Sequence, residues 1–195
     1  MTDSSSINSA SEASGLLRSM RKTNPVESKT FAESALDRWP DDVGVRDAVS
    51  WIRLDHCFST IGPETSETQL RPSIEMLATM AMWSPTGPYR TSDATVNCVI
   101  EFARNLNKIS QPVVALEVLS LLRVSDITDK PAKRFASLRS RWFLEQSRSL
   151  ELLEQWNLVI ETCEEGIRVS TFGRHSAEKI RLRLAAARKH ASTAT

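Results

Sequence analysis

A single tyrosine, three histidines, three cysteines and six glycines leave this chain of 195 residues short of the parts from which most chemical sites are built. None of the glycines falls in the spacing of a P-loop or a dinucleotide-binding turn, which excludes the common phosphate-cradling loops. Cys57, Cys98 and Cys163 are odd in number, far apart and without C-x-x-C spacing. That pattern excludes a disulfide framework and a zinc site, and the three read as small core hydrophobes. No apolar run approaches the roughly 18 residues of a membrane helix, and Met1 to Ser14 lacks the apolar stretch of a signal peptide. A cytoplasmic protein with no membrane partner is expected.

Catalytic groupings are equally scarce. His56, His175 and His190 are scattered, and only His56 has a nucleophile beside it, Cys57. Consecutive helical residues point about 100° apart, so the two are poorly aimed for a Cys-His dyad. Glu161, Glu164 and Glu165 precede Arg168, with Glu164 and Arg168 four apart, the geometry of an exposed ion pair and not of a paired acid and base. The residues therefore imply no catalytic group, no metal and no cofactor, and a protein that is not an enzyme; an enzyme with an unrecognised site is the least favoured alternative. Nowhere does apolar and polar alternation persist as a strand requires.

What the chain has is helical periodicity. Met1 to Ala13 is Ser-rich with almost no large apolar residue, and residues 1–14 are expected to form a flexible tail. Residues 15–190 are expected to be one helical domain and 191–195 a disordered end. Gly15 to Lys22 suits a short helix that Asn24-Pro25 stops. Phe31, Ala32, Ala35 and Leu36 then form one stripe, and Pro40 ends that helix at Trp39. Asp41 and Asp42 favour the positive end of the next, whose buried face is Val45, Ala48, Val49 and Ile52. Ser59 to Arg71 reads as an exposed connection. Pro72 suits the first turn of a helix reaching about Trp83, with Met76, Met80 and Trp83 on one face. Ser84 to Ser92 reads as a second loop.

Two stretches, Val99 to Leu122 and Phe143 to Ile167, carry the pattern of a helical hairpin. Val99, Phe102, Ala103 and Leu106 supply bulky, bulky-small and bulky positions on a first helix; Ala115, Leu119 and Leu122 follow on a second. Phe143, Ser147 and Leu150, then Trp156, Val159, Cys163 and Gly166, offer a second unit. Ala35-Leu36-Asp37-Arg38-Trp39-Pro40 matches the end of a third. This arrangement resembles the tetratricopeptide repeat, in which two antiparallel helices meet through small residues. The resemblance implies close helix approach at Ala103 and Ala115, with Glu101 exposed. The period departs from the family, since Ala115 and Val159 are 44 positions apart against about 34 in the standard repeat. The fold class expected is all-α, about seven to nine helices as antiparallel hairpins, stacked as a short tetratricopeptide-like α-solenoid or gathered in an irregular bundle.

The stretch Ala35 to Asp55, with Trp39-Pro40-Asp41-Asp42 and Ala48-Val49-Ser50-Trp51, also resembles tetratricopeptide-like regions of bacterial conflict systems that defend against phage. It covers about a tenth of the chain. W-P-D-D is, equally, an ordinary junction between repeat helices.

Charge is unevenly spread although the net is only +1: residues 1–98 carry 9 Lys+Arg against 13 Asp+Glu, leaving 16 against 11 for residues 99–195. With Lys130 to Leu153 as one helix, Arg134, Arg141 and Arg148 recur every seventh residue beside Lys130, flanked by the apolar Phe135, Leu138, Trp142 and Leu153. In the final helix Arg174, Arg181 and Arg188 repeat the arrangement, while Ala177, Ile180, Leu184 and Ala187 face the core and Lys179, Arg183 and Lys189 lie elsewhere on the surface. The candidate partner-binding residues are thus Lys130, Arg134, Arg141, Arg148, Arg174, Arg181 and Arg188. They suit an acidic protein partner, and the chain reads as a protein interaction module or assembly subunit. The alternative partner is nucleic acid, with the chain an accessory subunit, as in a phage-defence complex. The near-zero net charge weighs against that alternative.

Overall fold

In the computed structural model, residues 7–82, 93–122, 136–169 and 174–193 are described. Nine helices are found among them and no strand: α1 (Ala10–Thr23), α2 (Pro25–Arg38), α3 (Val43–Thr60), α4 (Glu67–Met82), α5 (Asp93–Lys108), α6 (Pro112–Ser120), α7 (Ala136–Leu152), α8 (Trp156–Val169) and α9 (Arg174–Thr193). The chain is all-α. Lys130, Arg134, Trp83 and the 84–92 loop lie outside the described residues, as do residues 1–6 of the expected tail.

The helix starts are written locally. Ser9 caps α1, its hydroxyl accepting from the Glu12 N–H at 3.2 Å while the Glu12 carboxylate accepts from the Asn8 N–H at 3.0 Å. This cap starts α1 five residues before Gly15 and turns Ala13 and Ser14 into the interior. Asn24 serves both helices: its N–H closes α1 onto the Met20 carbonyl, and its side chain accepts from the Glu27 N–H to open α2 with Pro25 in the first turn. Asp42 caps α3, accepting from the Val45 N–H at 2.9 Å.

Residues 59 to 71 are not one open connection. α3 runs on to Thr60, and α4 begins at Glu67 because Gln69 folds back to accept from the Ser66 N–H at 2.8 Å and hydroxyl at 3.0 Å. Pro72 consequently lies inside α4 and not at its start. It is tolerated there because Pro72 and Thr68, whose carbonyl loses its helical donor, are both exposed to water.

The helices stack in chain order. α1 packs on α3, α3 on α5, α5 on α7 and α7 on α9, so the odd-numbered helices form one layer. Each even-numbered helix packs against the odd helix before it and the odd helix after it, in a second layer. Phe143 of α7 faces Gly166 of α8 and Ser147 faces Cys163, so four residues forward on one helix match three back on the other and the pair is antiparallel. The approach is close: a Cβ built on Gly166 would lie 2.9 Å from the Phe143 Cβ.

The α5–α6 and α7–α8 turns share one design. Ser110 and Glu154, 44 positions apart, both have left-handed backbone, with φ of 58° and 57°. The next residue, Gln111 or Gln155, donates its N–H to the carbonyl of Leu106 at 2.9 Å or Leu150 at 3.0 Å. This six-residue closure satisfies an orphan carbonyl at each helix end. It repeats at the spacing that relates Ala115 to Val159.

Two apolar clusters form the interior. Ala13, Leu17, Ala32, Ala35, Val45, Ala48, Val49 and Ile52 are among the members of the smaller. The larger extends from Leu54 and Leu70 through Phe102, Leu106, Ala115, Leu119, Trp142 and Phe143 to Ile180 and Ala187. α3 joins them, with Ile52 in one and Leu54 in the other. Ala103 and Ala115 are wholly buried, as the hairpin pattern requires. Met80 is core, while Met76 packs half-buried against it.

Candidate functional site

Because the odd helices lie in one layer, residues spaced three or four apart on α7 and α9 share an open face. Leu144, Glu145, Arg148 and Glu151 of α7 and Lys179, Leu182, Arg183 and Ala186 of α9, with Arg141 and with Arg104 of α5, line a groove of about 660 Å³. Five of these side chains are basic and two acidic, so the groove is positive among the described residues. Leu182 stands 67% exposed in it, an apolar side chain between charged neighbours.

The cations divide into tied and free. Arg141 binds the Glu101 carboxylate and donates to the Asn97 side-chain oxygen at 2.7 Å, which fastens α7 to α5. Burial lowers the Arg141 pKa and the Glu145 carboxylate opposes that fall; a guanidinium remains charged throughout. Glu101 is correspondingly half-buried and also meets Arg104 at 3.5 Å, so the exposed position expected from sequence is corrected. The cause is a partner 40 residues away, beyond the reach of helical periodicity. Arg183 donates to the Glu151 carboxylate at 2.6 Å, the Leu144 carbonyl at 3.0 Å and the Ser147 hydroxyl at 3.2 Å, fastening α9 to α7.

Arg148 and Lys179 make no ion pair among the described residues and face the groove from opposite helices. They are its available charges. Of the other sequence candidates, Arg181 is exposed on α9 but does not line the groove, and Arg188 binds Glu164 of α8 at 2.7 Å. Arg174 opens α9. The expected Glu164 to Arg168 pair is replaced by Glu165 to Arg168 at 2.6 Å, because Glu164 is engaged by Arg188 across the α8–α9 contact.

Beneath the groove lies a polar group that periodicity did not reveal. Asn107 is 2% exposed, and its amide donates to the Glu145 carbonyl at 3.1 Å and carboxylate at 3.3 Å. The Ser149 hydroxyl, itself buried, donates to the Asn107 side-chain oxygen at 2.9 Å. The network ties α5 to α7 and holds Glu145 at the groove floor. Its only trace in the sequence is three polar residues at positions where the helical stripes call for apolar ones.

His56 is exposed and Cys57 buried, and the His56 Nε2 meets Lys29 Nζ at 3.3 Å instead of the thiol. Burial raises the thiol pKa of Cys57, Cys98 and Cys163, disfavouring the nucleophilic thiolate. Among the described residues no three His, Cys, Asp or Glu side chains gather as a metal site would require. No helix among them is long and apolar enough to cross a membrane.

Fold and groove together define a class, the all-α proteins built from stacked helical hairpins. Comparison with protein-family models, curated proteins and solved structures finds no match to this chain.

Proposed function

We propose that this chain is a non-enzymatic, cytoplasmic interaction module of tetratricopeptide-like type, a subunit that holds an acidic segment of a partner protein in the groove of α5, α7 and α9. The observation that carries the reading is the pairing of two unengaged cations, Arg148 and Lys179, with the exposed Leu182 between tied ion pairs. An acidic side chain meets the cations and an apolar one covers Leu182, so charge draws the partner in and apolar contact retains it. Arg141 and Arg183 hold the helices that shape the groove.

Arg148 and Lys179 also support the second reading, a nucleic-acid-associated subunit, since unpaired cations serve phosphate backbones too. One experiment separates the readings. Proteins retained by the immobilised chain from its native cells are identified, and binding of the purified partner is remeasured with Arg148→Glu/Lys179→Glu. The protein reading expects the double variant to keep its helical circular dichroism and to lose at least about tenfold in affinity. Binding of single-stranded or duplex nucleic acid by the isolated chain, weakening steeply with salt and abolished by the same variant, would replace it with the second reading. An unchanged affinity for the partner would remove the groove from the account.

A further inference from the structure

A second cleft, of about 430 Å³, opens among the N-terminal helices, where the end of α1 meets the first turns of α2 and the C-terminal half of α3. Its charged residues come from all three elements. Arg21 of α1 is held by Asp55 of α3 through two hydrogen bonds, at 2.5 and 2.8 Å, and lies 5.0 Å over the Trp51 ring, so these two charges cancel. Lys29 of α2 makes no ion pair among the described residues; its ammonium lies 3.3 Å from the Nε2 of His56 on α3. An ammonium can only donate, so in this contact the His56 Nε2 is the acceptor. The nearby Glu33 is taken by Arg53 at 2.6 Å. Among the described residues Lys29 is therefore the uncancelled charge of the cleft, with a second nitrogen beside it that accepts or donates according to the imidazole tautomer. The lining also has apolar parts one turn away on the same two helices: Pro25 and Val26 on α2, the latter 81% exposed, and Ile52 on α3.

We infer that this cleft binds a small phosphate monoester, the phosphoryl oxygens lying between Lys29 and His56 and the organic part on Val26 and Pro25. A phosphoryl oxygen replaces His56 as the acceptor of Lys29, and the His56 ring, in the tautomer with its proton on Nε2, donates to another, so two hydrogen bonds form where one contact stood. A dianion with several acceptor oxygens satisfies both nitrogens at once. The cleft volume falls in the range of small-molecule pockets. The site is separate from the groove of α5, α7 and α9, sharing no lining residue with it.

Calorimetry on the full chain tests this with phenyl phosphate and inorganic phosphate. Phenyl phosphate is expected to bind more tightly than inorganic phosphate, and Val26→Ser to erase that difference alone. Lys29→Met and His56→Gln, both at exposed positions and checked for unchanged circular dichroism, are expected to weaken phenyl phosphate by at least about tenfold. No binding of phenyl phosphate, or binding by the two variants as tight as by the unaltered chain, would overturn the inference and leave any anion uptake adventitious. Binding of a single-stranded oligonucleotide that is lost in both variants, with phenyl phosphate unbound, would assign the cleft to a nucleic-acid backbone instead.

Discussion

Gly166 and Gly15 show how one residue type is decided by its surroundings. At Gly166 an added methyl would lie 2.9 Å from the Phe143 Cβ and 3.0 Å from its Cγ, and neither backbone-anchored atom can yield without moving a helix. Gly166→Ala is expected to lower stability by about 1–3 kcal/mol, read from the urea midpoint. At Gly15, inside α1, a Cβ meets nothing within 4 Å, so Gly15→Ala is expected to raise stability by about 0.5–1 kcal/mol through helix propensity. Equal shifts for the two variants would show that the α7–α8 contact is looser than described. Glu101 makes the same point for charge. Glu101→Leu leaves the half-buried Arg141 without its carboxylate and is expected to cost about 1–2 kcal/mol, discounted from a fully buried pair because both side chains retain solvent contact. Glu161→Leu, at an exposed position of α8, should stay within about 0.5 kcal/mol in the same melts.

At the scale of elements, the two hairpin turns are the clearest units of design. Ser110 and Glu154 adopt a left-handed backbone that costs a residue with a Cβ, and glycine adopts it freely. Glu154→Gly is therefore expected to stabilise by about 0.5–1 kcal/mol, less than the full conformational gain because glycine also loosens the unfolded chain. A fall in the urea midpoint for this variant would mean that the Glu154 side chain itself holds the turn. The helices on either side were legible from residues alone: apolar stripes placed α2, α3 and the α5–α6 and α7–α8 pairs, and Asp42 and Asn24 marked their starts. Two boundaries were not legible. The Ser-rich segment before Gly15 conceals the Ser9 cap, and Pro72 reads as a start because a proline inside a helix is tolerated only where exposure relieves it.

At the scale of the whole molecule, stability and binding rest on different parts of the stack. Burial raises the pKa of all three thiols, and Cys98 adds a contact of 3.4 Å to the Ser50 carbonyl. A raised folded value means that the unfolded chain releases its thiol protons first. The resulting stability is full below the unfolded thiol value of about 8.5 and declines as pH rises through the higher folded values. Urea midpoints are expected to fall above about pH 9, and less steeply in Cys57→Ala/Cys98→Ala/Cys163→Ala. An identical slope in the triple variant would assign the loss to other groups. The groove, by contrast, depends on ties between helices distant in sequence, Arg141 with Glu101 and Arg183 with Glu151. Loss of those ties should open the groove while the thiol-lined core stays closed.

The order of residues by itself determined that the chain is all-α, where α2 and α3 begin and that two hairpins repeat 44 positions apart, because caps and stripes act over three to seven residues and are complete within each helix. Only the tertiary structure decided which cations are available. Arg141 and Arg148 share a stripe and are indistinguishable along the sequence, yet one is consumed by a carboxylate 40 positions away and the other faces open groove. The same holds for Lys29 and His56, brought to 3.3 Å by the packing of α2 on α3. The physical reason is that a charge is cancelled by whatever folding places beside it, and Coulomb attraction depends on distance in space and not on position along the chain.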